Sequence, residues 1–353
     1  MMAGANIATI VVMCLVGYSD RLNPVDHPVL SCVGMTFPIF LLINMFFLFF
    51  WLIFKFRLVW IPVLGYLLCY TPISIYMPLN LKSTTPPEDA IKIISYNVSI
   101  YGGNHHYNDG FEPIRDYLFD ENPDIVCLQE DVDSWRRYCF KHYEKKFAYN
   151  DTVHFSGENL SNGIGIHTRF PIIRKERIPY QSKYNGSVAW YLQVGNDTLL
   201  VINNHFEGTH LSKEDRETYR EIIKGDMKGD PARKESKKLL VTLAESSSKR
   251  APQIEAVCRY VEEHRQYPTI LCGDFNDNPI SYSRYRMAQV LNDCFTETGR
   301  GLGLSFYQKG FYFRIDNIFH SDNIKAYNCK VDSKIDASDH FPIICWLKID
   351  GKD

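Results

Sequence analysis

Two stretches near the start of the chain carry no charged residue, Pro28 to Phe54 and Leu58 to Leu81. Each reaches the roughly 20 residues that a helix needs to cross a bilayer core. The run from Met35 to Phe54, MTFPIFLLINMFFLFFWLIF, is apolar on every side, so as a helix it has no polar face to turn toward water. Trp51, Trp60, Tyr66, Tyr70 and Tyr76 lie toward the ends of these runs, where interfacial aromatic residues gather. An upstream stretch, ANIATIVVMCLVGY, is shorter and reads as a third span, about residues 4–19, or as an uncleaved signal-like segment. Residues 1–81 are therefore expected to be a multi-pass transmembrane region, with spans at about 29–54 and 58–80. The alternative for such runs is a helical hairpin buried inside a large soluble core.

The short loops set an expected orientation. Lys55 to Arg57 separate the two strong spans, and Ser19 to His27 precede them with mixed charge. The excess of Lys and Arg in cytoplasmic loops then places Lys55 and Arg57 inside and the large C-terminal domain outside, in an extracytoplasmic position. The polar, proline-containing segment at residues 82–90 reads as a linker, and residues 91–353 as one catalytic-sized domain.

Setting aside Asp20, Arg21, Asp26, Lys55 and Arg57 leaves 36 basic and 39 acidic residues of the chain's 39 and 41. A domain so close to neutral has no global attraction for nucleic acid, although a local basic groove is compatible with it. The ten cysteines form no CxxC pair and no Cys/His spacing of a zinc site. Cys127, Cys272 and Cys345 lie in apolar strand-like runs, where cysteine acts as a small buried hydrophobe.

Beyond the linker, strand-like runs alternate with helical patterns. IKIISYNV, DIVCLQE, GIGIHT, VAWYLQV, TLLVINNHF, TILCGDF, RIDNIFHS and FPIICWLKI read as strands. Helical patterns fall at Phe111 to Asp120, Arg216 to Lys224 and Pro252 to His264. The most polar stretch, Lys213 to Arg250, reads as a solvated helix or as a basic flap, with Lys234, Lys237 and Lys238 against phosphate or anionic lipid. This alternation over about 265 residues indicates an α/β domain.

Polar side chains recur at the ends of these strands. Asn97 ends the first and Glu130 the second, and His205 follows VINN. Asp274 and Asn276 close TILCGDFN, Asp316 lies in RIDNIF, and Asp339–His340 precede FPIICW. Strand ends are where an α/β sheet gathers ligands, because loops there bring distant side chains together. Singly each residue has a plain role as a turn former or structural group. Jointly, four carboxylates with two asparagines and two histidines, all near strand ends, make a site.

The stretches SYNV, CLQED, NNHF, CGDFND, RIDNIF and ASDHFPI, in that order between Ile91 and Trp346, resemble the endonuclease/exonuclease/phosphatase superfamily. The likeness is to its deoxyribonuclease and neutral sphingomyelinase branches, in a membrane-anchored member of bacterial type. It implies a four-layer α/β sandwich, two mixed β-sheets packed face to face with helices outside. It implies Glu130 as metal ligand with Asn97 beside it and Asp339 contributing, and Mg²⁺ as the ion, with Mn²⁺ able to substitute. By the same resemblance Asp274 orients water, Asn276 donates to a non-bridging phosphate oxygen, and Asp316 holds the imidazole of His340. His340 acts as base or phosphate contact, and His205 stabilises the phosphate or protonates the leaving oxygen. No stretch matches the PAWCDR-like segment of the inositol polyphosphate 5-phosphatases, and His205 stands where abasic-site endonucleases place other groups. Arg250 is a further candidate, for substrate or for solvent.

Hydrolysis of an anionic phosphoester needs charge neutralisation, an oriented water and a stabilised leaving group, and a hard cation on oxygen ligands supplies the first and assists the third. The expected function is thus a divalent-metal-dependent phosphoester hydrolase anchored in a membrane, with the bilayer and a lipid headgroup or nucleic acid as partners. The alternatives are an extracytoplasmic nuclease and a silent binding protein of the same fold.

Overall fold

Residues 1–80, 85–105, 111–131, 141–155, 163–209, 211–308 and 311–350 are described by the computed structural model. Part of the expected linker, residues 82–84, lies outside them. The chain divides into two compact units. One contains Pro78–Gly208, Pro252–Asn276 and Arg286–Asp353; the other contains Met1–Met77, Thr209–Ala251 and Asp277–Tyr285. The boundaries expected at 81 and 91 do not coincide with this division, because two later segments group with the apolar N-terminal region.

In the larger unit the strands in chain order are β1 (Ile91–Asn97), β2 (Ile125–Asp131), β3 (Tyr149–His154), β4 (Gly163–Thr168), β5 (Ile172–Arg177), β6 (Gly186–Val194) and β7 (Asp197–His205). They continue as β8 (Thr269–Asp274), β9 (Asn292–Asp293), β10 (Phe306–Gln308), β11 (Phe311–Phe313), β12 (Asp316–His320), β13 (Ile324–Val331) and β14 (Ile343–Ile349). One sheet has the order β13-β14-β1-β2-β4-β3, the other β5-β6-β7-β8-β12-β9, and β10-β11 form a separate hairpin. Both sheets are mixed: β1 runs parallel to β2 and β7 to β8, and the remaining pairs are antiparallel. Every strand recognised in the sequence occupies an interior position. The edges β3, β5, β9 and β13 went unrecognised because they are short or open to solvent, and carry polar residues where interior strands carry apolar ones.

Three apolar layers follow. Ile93, Cys127, Ile166, Trp190, Val201, Cys272, Ile318 and Cys345 pack between the facing sheets. The outer face of the first sheet is covered by Ile114 and Leu118 of helix Phe111–Glu121, together with Tyr143 and Phe147. The outer face of the second is covered by Ile254, Val257, Cys258 and Val261. This is the expected sandwich of two mixed sheets flanked by helices, with Cys127, Cys272 and Cys345 fully buried as apolar side chains. The nine described cysteines are free thiols.

The other unit contains α1 (Met2–Gly17), α2 (Pro28–Ser31), α3 (Phe37–Phe54), α4 (Trp60–Leu68) and α5 (Tyr70–Tyr76). Met2–Arg21 and Pro28–Phe54 are long and apolar enough to cross a membrane. The expected span at 58–80 is instead broken: α4 and α5 meet at 65° around Cys69. Pro72 has no N–H to return to the Leu68 carbonyl, and the Tyr18 hydroxyl donates to that carbonyl at 2.8 Å. Buried polar groups join the helices. Asn6 donates to Asn44 Oδ1 at 3.1 Å, and the Trp51 indole donates to Asn6 Oδ1 at 3.0 Å. Bonds of this kind specify helix pairing where apolar surface alone does not.

The polar stretch after Thr209 is also ordered within this unit. Helix Lys213–Lys224 starts with a reciprocal cap between Ser212 and Asp215, and Asp215 also accepts from Lys238 at 2.9 Å. The next helix runs Gly229–Glu263, longer than the expected Pro252–His264, with Pro252 inside it where the division between units falls. Ser248 donates to the Pro24 carbonyl at 2.7 Å, and Ile280 is buried among Met13, Val16, Phe37, Cys69 and Ile75.

Candidate active site

Strand register alone brings three of the candidate residues together. His205 at the end of β7 is level with Asp274 at the end of its parallel neighbour β8. Asp316, the first residue of antiparallel β12, is level with Asp274 on the other side. In the other sheet Asn97 ends β1 in register with Gln129 of β2.

Glu130 follows immediately, and here β2 gains an extra residue. The pairing with β4 shifts between Gln129 and Asp131, and Glu130 adopts φ +54°, a left-handed backbone that side chains rarely occupy. The two neighbours are locked in the interior. Gln129 donates to Ser95 Oγ at 3.1 Å and to Asn203 Oδ1 at 2.6 Å, while Asp131 accepts from Tyr101 at 2.9 Å and from Thr152 at 2.7 Å. The bulge lifts Glu130 out of the ladder between them and leaves it half-buried. Asn276 repeats the device with φ +50° just beyond β8.

Asp274 is the hub. It is 1% exposed and accepts at Oδ1 from the Asn276 backbone N–H at 2.7 Å. Its Oδ2 accepts from Asn97 Nδ2 at 3.1 Å and from Asn276 Nδ2 at 3.3 Å. Nε2 of His205 and Nε2 of His340 each lie 3.7 Å from the same oxygen. Glu130 accepts from Asn97 at 3.2 Å and lies 3.9 Å from His205. His340 Nδ1 pairs with Asp316 Oδ2 at 2.8 Å, the carboxylate–imidazole couple expected from the sequence. All these residues are thus in one constellation. Asp339 stands beside it, accepting from Gln308 at 2.8 Å, and its charge is felt by Glu130.

Electrostatics follow from crowding several carboxylates in a buried place. Burial raises Glu130, and the charges of Asp339 and Asp316 raise it further, against the Asn97 hydrogen bond and His340. Burial also raises Asp274, to about 6, with Asp316 adding to the effect and the two histidines opposing it. Burial alone would depress His340, but Asp316 and Asp274 override it and hold the ring protonated, with a pKa of about 10. His205 moves down because burial outweighs the attraction of Asp274.

Such a cluster fits a hard divalent cation, which relieves mutual carboxylate repulsion. Ligand atoms of Asp274, Asp316 and His340 lie within 4.8 Å of one another, and Asp316 Oδ1 is buried with no hydrogen-bond partner. Asn97 turns its nitrogen to the carboxylates, its Oδ1 accepting from the Ser99 N–H at 3.0 Å.

Three further residues support the site without having been singled out in the sequence. Phe306 packs edge-on against His340 with ring centroids 5.0 Å apart, Gln308 holds Asp339, and Ser338 donates to the Asn97 carbonyl at 2.7 Å. Ser338 was visible in ASDH as part of the motif. The hairpin residues carry no local signal, because pairing with a distant segment gives them their place. Arg250, by contrast, does not face solvent: it is 2% exposed and is held by Asp277 at 3.4 Å and Ser247 at 3.2 Å.

No curated protein sequence matches the chain significantly. Residues 1–76 match a domain of unknown function (DUF8431). Among solved structures, a humanised TDP2 of D. rerio carrying 14 mutations is 17% identical, covering 73% of this chain and 99% of its own, with TM-score 0.52. The human Nocturnin catalytic domain with bound sulfate is 14% identical, covering 75% and 96%, with TM-score 0.54. An endonuclease/exonuclease/phosphatase family protein from Bacteroides thetaiotaomicron is 18% identical, covering 76% and 100%, with TM-score 0.53. At these identities the structures establish the fold. Residues 94–340 match the Endonuclease/Exonuclease/phosphatase family itself, and the chain belongs to that family.

Proposed function

We infer that the chain is a divalent-metal-dependent hydrolase of phosphoester bonds, anchored in a membrane by its N-terminal helices. The observation that carries the reading is the convergence on Asp274 of Asn97, Asn276, His205 and His340, with Glu130 bonded to the same asparagine. Mg²⁺ is the natural ion for these oxygen ligands, with Mn²⁺ as substitute. Glu130 and Asp339, with Asn97 beside them, would hold it, and when bound it supplies charge neutralisation at the phosphate and at the departing oxygen.

The chain's own groups do the rest. Asp274, fixed by donors on both of its oxygens, would orient a water and take its proton as the water oxygen attacks phosphorus. By the family resemblance Asn276 would donate to a non-bridging oxygen, exchanging for it one of its present bonds to the Phe206 carbonyl and Asp274. His340, steadied by Asp316, and His205 flank Asp274 from two strands, so both can contact the phosphate. A bound anion and a protonated imidazole satisfy each other in a buried site.

A lipid headgroup is the favoured substrate class, because the near-neutral domain lacks the basic field of a nucleic-acid binder and the apolar helices would keep it at a bilayer. With Lys55 and Arg57 on the cytoplasmic side, crossing of the bent α4–α5 pair as one broken span would put the domain on the extracytoplasmic side. Nuclease action is the second reading: a TDP2 of D. rerio with the same fold has been captured with a single-strand DNA product. A panel of sphingomyelin, glycerophospholipids, inositol phosphates and single- and double-stranded DNA, each with Mg²⁺ and a Glu130→Ala control, separates them. Turnover of a lipid alone supports the first reading, and turnover of DNA alone overturns it.

A further inference from the structure

A cavity of about 940 Å³ in the larger unit lies behind the β10-β11 hairpin, on the face opposite the active site. Alternation along the strand creates the two faces: Phe306 meets His340 and Gln308 holds Asp339, while Tyr307, between them, lines the cavity. Tyr312, its cross-strand partner, lines it too. Leu302, Leu304, Phe341 and Trp346 make the remaining lining mainly apolar, and the volume is within the roughly 300–1,000 Å³ of ligand sites. Two exposed cations, Arg300 and Lys330, stand in the same lining; among the described residues Lys330 has only a distant carboxylate, Asp332 at 3.8 Å.

Chain connectivity limits what can fill it. Asn80 lines the cavity and is pinned there by its bonds to the carbonyls of Thr296 at 3.1 Å and Gly299 at 2.8 Å. In the sequence it follows Tyr76, the end of the last apolar helix, by four residues. Tyr307, Tyr312 and Leu302 are between 40% and 52% exposed, and Leu79 is 64% exposed. Tyrosines beside exposed leucines and basic side chains, a few residues from an apolar helix, suit the interface of a bilayer.

We propose that this cavity is an accessory site for one membrane phospholipid, its acyl chain among the aromatic side chains and its phosphate against Arg300 and Lys330. The proposal rests on the reading that residues 1–76 sit in a bilayer. Through the shared hairpin the bound lipid steadies Phe306 and Gln308, and so the residues they touch in the active site.

The full chain, reconstituted in vesicles with phosphatidylglycerol or phosphatidylcholine bearing a photoreactive acyl chain, tests it by peptide mapping after illumination. Labelling is expected both in α3 and in the peptides Gly301–Arg314 and around Trp346. Val331→Trp, which fills the cavity, should remove the second set and spare the first. The double variant Arg300→Ala/Lys330→Ala should reduce cavity labelling by phosphatidylglycerol by about fivefold per charge. Labelled α3 with an unlabelled cavity overturns the proposal and leaves the membrane reading standing, whereas no label in α3 overturns the membrane reading. Cavity labelling that neither variant reduces also overturns the proposal.

Discussion

Asp274 can serve as a hub because donors and two imidazoles surround its oxygens and offset the nearby carboxylate of Asp316. A buried carboxylate with donors on both oxygens keeps one orientation, which water activation requires. One substitution probes this arrangement directly. His340→Ala removes the imidazole from Asp316, and turnover should fall by about 10² to 10⁴ with the far-UV spectrum unchanged; full activity would contradict its role. Away from the site, His167 is 1% exposed, with Nδ1 against Asn150 Oδ1 at 2.7 Å and the Tyr143 ring at 4.2 Å. Burial pushes its pKa down to about 3. The unfolded chain therefore takes up a proton near pH 6.5 that the folded chain refuses. Stability attributable to this residue is intact above 6.5 and is lost as pH falls toward 3, by at most about 1.4 kcal/mol per pH unit. His167→Gln should flatten the dependence of the urea midpoint on pH between 4 and 6.5, and an unchanged slope would show that His167 is not its source. The eight site residues were legible in the sequence because each closes a strand-like run or sits in a short motif. Phe306 and Gln308 were not, since only the pairing of a distant hairpin carries them to His340 and Asp339.

Among the elements, the interior strands announced themselves through apolar runs and the edge strands did not. A strand with neighbours on both sides and cores on both faces must be apolar, whereas β5, with IIRKER, exposes its polar side chains at a sheet edge. The bulge at Glu130 was likewise hidden, because nothing in CLQED marks an extra residue against β4. Helix packing in the apolar unit depends on small residues at close approaches. A Cβ on Gly65 of α4 would stand 2.7 Å from Ile10 Cγ1 of α1. Gly65→Leu should therefore cost about 1–3 kcal/mol by overpacking, read as a lower thermal midpoint in detergent, with Gly65→Ala milder. A midpoint equal to wild type would mean the two helices do not meet there. The break at Cys69 was missed because an uninterrupted apolar run predicts a straight span, and Pro72, visible in the sequence, sets the bend.

At the scale of the whole molecule, the apolar region is more than an appended segment. Its compact unit recruits Thr209–Ala251 and Asp277–Tyr285 from within the family domain, and Ile280 is fully buried among side chains of α1, α3 and α5. Sequence periodicity gives no sign of this, since the recruiting contacts join residues more than 200 positions apart, as in Ser248 with Pro24. A chain lacking residues 1–77 should consequently be cut by trypsin between Lys213 and Arg250 far faster than the full chain, which limited proteolysis measures. Equal cleavage rates would mean those segments stand without the apolar helices. The central claim, that strand ends converge to make a metal-assisted phosphoester hydrolase, is tested most directly by turnover of a chromogenic phosphodiester by the detergent-solubilised full chain as Mg²⁺ is titrated after EDTA. The account predicts saturable activity that appears with Mg²⁺ and is absent in Glu130→Ala, whereas activity indifferent to EDTA, or retained in Glu130→Ala, would contradict it.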